Sequence, residues 1–535
     1  MRITTCVLAC MLLFGTVAAF ARAANSGADR PALRVAVVVT PNTLNPLLHT
    51  QTTESLLISM IFDGIVRSAP DGTIVPVLAA VVPTSANGGI SRDGRTITYK
   101  LRRGIKWHDG MPFTSRDVAF TQRAAVNPNN NVTSHDPYRS VTSIDAPNDD
   151  TVVVHLAQRY APFVAEWFAG NGTGILPAHL LAAQSQLNDV PFNSAPVGTG
   201  AFVFDHWDRG RDIVLRANDA YVLGKPQLAR VVVQLMANDN SRGLALRTGA
   251  TDWAFQTTAT VARQFVGSTT VQTVLLDVNG FTGLRLQTRR PPLDDVRVRR
   301  AVALALDRPA MVAKISGGFA VPAASDIGPA VWAYDRNVKP LPYDPAHSRT
   351  LLDAAGWKVG VNGIRERDGR RLSLQLVYPA GNPVNEAYGV QVQSLLHTVG
   401  IDVSIKSQQA NMLFAPAAQH GVLPGGNFDM AYVSFFNGAD PNDRRSFGCA
   451  SIPPDGFNIS RWCNAEYDRV TNDALLHTDR ATRTRDYSRA SRILVDDAPE
   501  VFVTWPKDIE LVRPGVHIDD GARNPALSYR IHIDK

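Results

Sequence analysis

The chain has 535 residues, 45% hydrophobic and 19% charged, an ordinary globular composition with ample core material, and a length that calls for two or more domains. Its 54 Lys and Arg against 48 Asp and Glu leave a formal charge of only +6. No basic stripe with interleaved aromatics is present, which excludes a nucleic-acid binder of that kind.

Met1 to Ala23 reads as a secretory leader. Arg2 supplies the basic start, Cys6 to Phe20 the apolar centre, and Ala21-Arg22-Ala23 the small-x-small cleavage signal. The apolar run is 15 residues, short of the roughly 20 that a membrane span needs. Cys10 offers a lipid-attachment alternative, but the apolar centre runs on past it to Phe20. Cleavage after Ala23 is expected, giving an unanchored protein retained in the periplasm, with the formal charge reduced from +6 to +4 as Arg2 and Arg22 leave.

Leu33 to Val39 is predicted as a strand, and Glu54 to Gly64 as a helix with Leu57, Ile58 and Ile61 inward. Thr96 to Leu101 alternates and follows the Asp93-Gly94 turn; Ile105 to Trp107 resumes briefly, as in a hairpin-like unit. Thr114 is placed as an N-cap with Asp117 in the first turn. Residues 151–156 form a strand, Pro177 opens a short helix within 175–187, and the hinge-like run Pro196 to Gly200 precedes a strand around Phe202 to Phe204. Helices follow over Val296 to Leu306, from Asp307 to Gly317, from Asp344-Pro345 to Gly356, and over Val384 to Thr398. Strands at Leu372 to Val377, Asp402 to Lys406 and Asp429 to Ser434 alternate with them, so the class is α/β. The arginines 480, 483, 485, 489 and 492 read as the solvated face of one helix.

Cys449 and Cys463 remain after the leader is lost. An even pair in an exported chain is most simply a disulfide, with free thiols or a metal site as alternatives; no histidine stands at zinc-ligand spacing, and no metal or cofactor is expected. Enzyme signatures are missing: there is no GxSxG, HExxH, P-loop or GxGxxG that follows a strand and opens a helix. His108 and Asp109 are adjacent in a turn and diverge, and His179 sits at a helix start in a capping or packing role.

The string DGRTITYKLRRGIKWHDGMPFTSRDVAFTQR at 93–123 resembles the large extracytoplasmic solute-binding proteins of ABC importers, the family that includes dipeptide- and oligopeptide-binding proteins. LNPLL at 44–48, IFDGIVR at 61–67, PDGTIVP at 70–76, PVGTGAFVF at 196–204, GKP at 224–226, DDVRVRRAVALALDR at 294–308, YDPAHSRTLLDAAGW at 343–357 and QVQSLLHTVGIDV at 391–403 extend it in order along nearly the whole mature chain. The resemblance implies a two-lobed binding protein that closes on its solute about a hinge, acts as a monomer and serves a membrane permease. It divides the chain into a first lobe of 31–57, 193–275 and 495–535, an inserted subdomain of 58–192, and a second lobe of 276–494.

The same resemblance implies ligand contacts. Thr50, Gln51 and Thr52 fall where relatives touch a bound peptide's backbone, and Phe281 lies near a position often aromatic at the ligand. Tyr138 is a further position, after a loop of different length. Phe435 and Phe436 end a strand toward the cleft, only one of them facing it. Relatives carry an aspartate that pairs with the peptide's α-ammonium; counting back from Asp440-Pro441, that position here is Asn437. An amide can accept a hydrogen bond but supplies no charge. Cys449 and Cys463 match the family's disulfide positions. The expected role is peptide capture for an ABC importer. Alternatives are the same role for an opine, sugar, metal chelate or haem, or an exported hydrolase or chaperone-like protein.

Overall fold

A computed structural model describes residues 30–68, 71–133, 135, 138–518 and 525–534. The predicted leader and its cleavage point lie outside the described residues.

A twelve-stranded mixed sheet runs through the molecule. Its order is Asp402–Gln408, Ser373–Pro379, Met430–Phe436, Gly280–Leu286, Glu500–Val512, Trp253–Ala254, Ala32–Val37, Arg230–Leu235, Asp212–Ala217 and Phe202–Asp208; Gln272–Asp277 and Ala320–Pro322 also pair with Glu500–Val512. Ala32–Val37 is parallel to both of its neighbours, as Ser373–Pro379 is to Asp402–Gln408 and Met430–Phe436. Strands covered on both faces read as near-continuous apolar runs, and Met430 to Val433 is buried throughout.

Two large apolar cores flank the middle of this sheet. The first takes in Leu33, Ile61, Tyr99, Trp167, Phe202, Trp253 and Val512, so segment 58–192 packs without a break onto the strands before and after it. The second is built from Leu284, Val302, Leu352, Leu376, Tyr388, Tyr432 and Val503.

Local signals held where the cap chemistry was explicit. Thr114 accepts from the Arg116 N–H at 3.3 Å while Asp117 accepts the Thr114 N–H at 2.8 Å, opening the helix Ser115–Val126. Helices at Val296–Leu304, Arg308–Ser316, Pro345–Ala354 and Pro383–His397 start behind Asp295, Asp307, Asp344 and Asn382, whose side chains each accept a first-turn N–H. The helix opened by Pro177 is only Ala178–Leu181.

Two local readings are corrected. Thr96–Lys100 does not form a hairpin with Ile105 to Trp107; it pairs antiparallel with Thr151–Leu156, the central strand of a separate three-stranded sheet. The arginine-rich helix Arg480–Asp497 is not solvated at every arginine. Arg483 is buried and bridges Asp440 at 2.6 Å, because its helical position faces inward.

The glycine run at 196–200 has a packing reason. A Cβ on Gly198 would stand 1.9 Å from the Ile61 carbonyl oxygen, and one on Gly200 would stand 2.5 Å from that of Met60. The Gly200 N–H donates to the Ile61 carbonyl at 2.8 Å, so only glycine lets this chain seal the end of the helix Thr52–Ile61.

Candidate functional site

The long strand Glu500–Val512 serves both cores. Its first residues pair with Gly280–Leu286, and Lys507 to Val512 pair with Gln272–Asp277. The chain therefore crosses between the cores twice, at 278–279 and near Pro506, with Lys507 and Asp277 ion-paired beside the crossing. Asn279 sits there, buried, and its carbonyl accepts the Asn437 N–H at 2.8 Å while its side-chain amide donates to the Gly438 carbonyl. The loop that ends Met430–Phe436 is thus tied to the crossing itself.

Behind Asn437 lies a buried charge cluster. Arg285 and Glu500, neither exposed, pair at 2.8 Å, and the guanidinium lies 4.1 Å from the Phe435 ring centroid and 4.4 Å from that of Phe447. Burial pushes the Glu500 carboxyl up to about 7 even against the pull of Arg285. Asp443 faces Asp326, and neither Asp443 oxygen meets a donor at full hydrogen-bond geometry; the Asn437 amide lies against it. Burial and the Asp326 charge raise the Asp443 carboxyl well above its usual range, since two enclosed carboxylates cannot both stay ionised. Asp440 is held differently: it accepts from Arg483 at 2.6 Å and from the Tyr487 hydroxyl at 2.7 Å, so the residue before Pro441 is a buried anchor.

The aromatic candidates separate by strand face. Phe281 is 0% exposed, with its centroid 5.8 Å from Phe435, 6.2 Å from Phe447 and 5.1 Å from Phe502, because its register on Gly280–Leu286 points it into that cluster. Phe435 is partly covered by Arg285, and Phe436, one residue on, is 64% exposed. Tyr138 is 7% exposed and packs on Phe168 at 5.0 Å; burial raises its hydroxyl. Neither the Phe281 nor the Tyr138 ring lies open to solvent.

Thr50 and Thr52 are exposed and Gln51 half-buried, on the first core. Their loop is organised by Glu54, which is fully buried. One Glu54 oxygen accepts the Thr50 and Gln51 N–H groups at 2.8 and 3.0 Å, and the other accepts those of Asn42 and Thr43 at 2.6 and 3.2 Å. Thr133 donates to the His49 carbonyl at 2.8 Å, so the chain at Thr133 adjoins this loop. Glu54 was not among the sequence candidates; an acidic residue three positions after a helix start was its signal. The structure joins Phe281, Phe435 and Asn437 around one crossing, and places Thr50 to Thr52 and Tyr138 on the other core.

The two sides also touch away from the crossing. The Ala161 N–H donates to the Leu475 carbonyl at 2.8 Å and Arg480 donates to the Asp71 carbonyl at 2.6 Å. Between them lies a cavity of about 140 Å³ lined by Gly72, Pro162, Trp332, Asp440, Arg480 and Arg483 among others. His179 pairs with Asp109 at 2.7 Å while His108 turns to the Gly200 carbonyl, so the adjacent His108 and Asp109 do diverge. Cys449 and Cys463 are joined in a disulfide, with Cα atoms 4.6 Å apart.

Residues 73–449 match the model of the bacterial extracellular solute-binding proteins, family 5 Middle. The chain belongs to this family. It is 31% identical over 476 residues to Protein XP55 of Streptomyces lividans, covering 88% of this chain and 82% of that protein. It is 26% identical over 519 residues to the oligopeptide-binding protein AppA of Bacillus subtilis, covering 94% and 92%. The AppA structure, in complex with a nonapeptide, superposes with a TM-score of 0.77 at 23% identity over 94% of this chain and 99% of that one. NikZ of Campylobacter jejuni, in complex with Ni(L-His), gives 0.77 at 23% identity over 91% and 94%. The fold is that of the two-lobed family 5 binding proteins, and this family 5 member is the solute-binding component of an ABC importer. Among the described residues no helix is long and apolar enough to cross a membrane.

Proposed function

We propose that this chain captures a peptide or similar small solute in the periplasm and delivers it to the membrane permease, without catalysing a reaction. The observation that carries the reading is the pair of crossings at 278–279 and near Pro506, where both cores meet and the Asn437 loop is anchored. A solute held by groups from both cores stabilises the closed arrangement, and a permease can read that shape. In this reading 31–57, 193–275 and 495–535 make the first lobe, 58–192 is inserted into it, and 276–494 makes the second. Thr50, Gln51, Thr52, Phe436 and Asn437 contact the solute, while Phe281, Phe435 and Tyr138 shape the walls behind them. The leader is removed after Ala23, which N-terminal sequencing of the exported protein checks.

Asn437 favours a second reading within the same role. Without a carboxylate at that position, a non-peptide solute such as an opine, a sugar, a metal chelate or haem fits as well as a free-amino peptide. Mass spectrometry of the solute retained through native purification separates the two. Small-angle scattering should show a smaller radius once the identified solute is added; an unchanged radius with confirmed binding would sink the closure mechanism.

A further inference from the structure

The C-terminal hairpin gathers two imidazoles and a carboxylate at one point of the surface. Val516–His517 and His532–Ile533 pair antiparallel, with His517 directly opposite His532. Their rings stack with centroids 4.4 Å apart and planes 13° from parallel. Asp534 follows, with a carboxylate oxygen 3.0 Å from His517 Nε2. One ligand atom from each of the three residues lies within 4.8 Å of the others.

The surroundings prepare these groups. His532 Nδ1 stands 3.0 Å from the Arg530 carbonyl, which can only accept, so in the neutral ring Nδ1 carries the proton and Nε2 keeps its lone pair. The Asp534 N–H donates to the Gly515 carbonyl at 2.8 Å, fixing the carboxylate's backbone to the turn that leads into His517. Buried Val516, Ile518 and Ile531 seat the hairpin on the first core, whereas Asn437 belongs to the other side.

We propose that His517, His532 and Asp534 form a surface site for a divalent transition-metal ion of the zinc class, on the first lobe and independent of the solute cleft. Two neutral nitrogens and one carboxylate oxygen suit Zn²⁺, Ni²⁺ or Cu²⁺ and disfavour the oxygen-seeking Mg²⁺ and Ca²⁺. The ion takes the place of the proton between His517 Nε2 and Asp534: a protonated ring releases its Nε2 proton to solvent and a neutral one shifts it to Nδ1 through solvent, so that the ring stays neutral with its proton on Nδ1 and the Nε2 lone pair enters the coordination sphere. The near-parallel rings leave one ligand atom of each residue within 4.8 Å of the others, so a side-chain rotation brings them to coordination distance, with water completing the shell. The sequence carries no metal motif because the two histidines are brought together only by strand register.

The test is calorimetric titration of the tag-free mature protein with zinc chloride, beside its melting temperature with zinc, magnesium or calcium. The expected result is one zinc per chain at this site and a melting temperature raised by zinc alone. In His517→Ala/His532→Ala the affinity should fall at least ten-fold and the thermal shift should vanish. Asp534→Asn, which keeps the side chain's shape, should weaken zinc without altering the circular dichroism spectrum. Absence of zinc uptake, or an equal titration in the double variant, would overturn the proposal.

Discussion

Asn437→Asp tests the placement of the solute's amine. The new carboxylate would stand against Asp443, itself facing Asp326, so three acidic groups would share one enclosed region. Two like charges about 4 Å apart at an effective dielectric near 20 repel by roughly 4 kcal/mol, so the solute-free variant should melt below the wild type, with part of the cost relieved by proton uptake. A cationic amine entering that region offsets the added charge. A hydrogen bond to a charged group contributes about 1.5–3 kcal/mol, which is roughly a ten- to hundred-fold change in Kd. Calorimetry with a peptide and its N-acetylated twin reads this directly. The free-amino peptide should gain on Asn437→Asp while the acetylated one loses, since it brings polar surface but no charge. Equal responses would refute the argument and leave Asn437 as a turn residue held by Asn279.

Arg483→Leu should destabilise the protein by about 3–5 kcal/mol in urea, because it leaves Asp440 buried with only Tyr487 as donor; adding Asp440→Leu should recover much of the loss. Cys449→Ser should cost about 3 kcal/mol, the loop-closure value for a bridge of this size, and reductant should lower wild-type stability by a similar amount while leaving the variant unchanged. Glu510 gives a pH test. Burial holds its carboxyl up to about 8, while the unfolded chain ionises it near the ordinary 4.5. The folded state therefore binds more protons between those values, and stability falls as pH rises from about 4.5 to about 8. Glu510→Gln keeps an oxygen to accept from Trp253 and the Gln256 N–H, and should flatten that part of the stability curve.

Sequence alone determined what is local or cumulative. The helix starts at Thr114, Asp295, Asp307 and Asp344 follow from one side chain reaching an N–H two or three residues on, and the α/β class follows from alternating apolar runs. The family was readable because its motifs occur in order along the chain, and the disulfide because Cys449 and Cys463 are the only two cysteines after residue 23. Only the tertiary structure decided matters of facing and partnership. Thr96–Lys100 found its partner some fifty residues away rather than in the next turn, since a buried central strand offers more apolar contact than a short hairpin. Arg483 turned inward because Asp440, far off in sequence, supplied its counter-charge. Phe281 went into the aromatic cluster and Phe436 to the surface because strand register sets facing, and register depends on which strands pair. Glu54 had a local signal, the acidic residue three positions after a helix start, whereas Asp326, Asp443 and the His517–His532 pair carried little or none, because their roles consist of contacts between separate segments that no local spacing encodes.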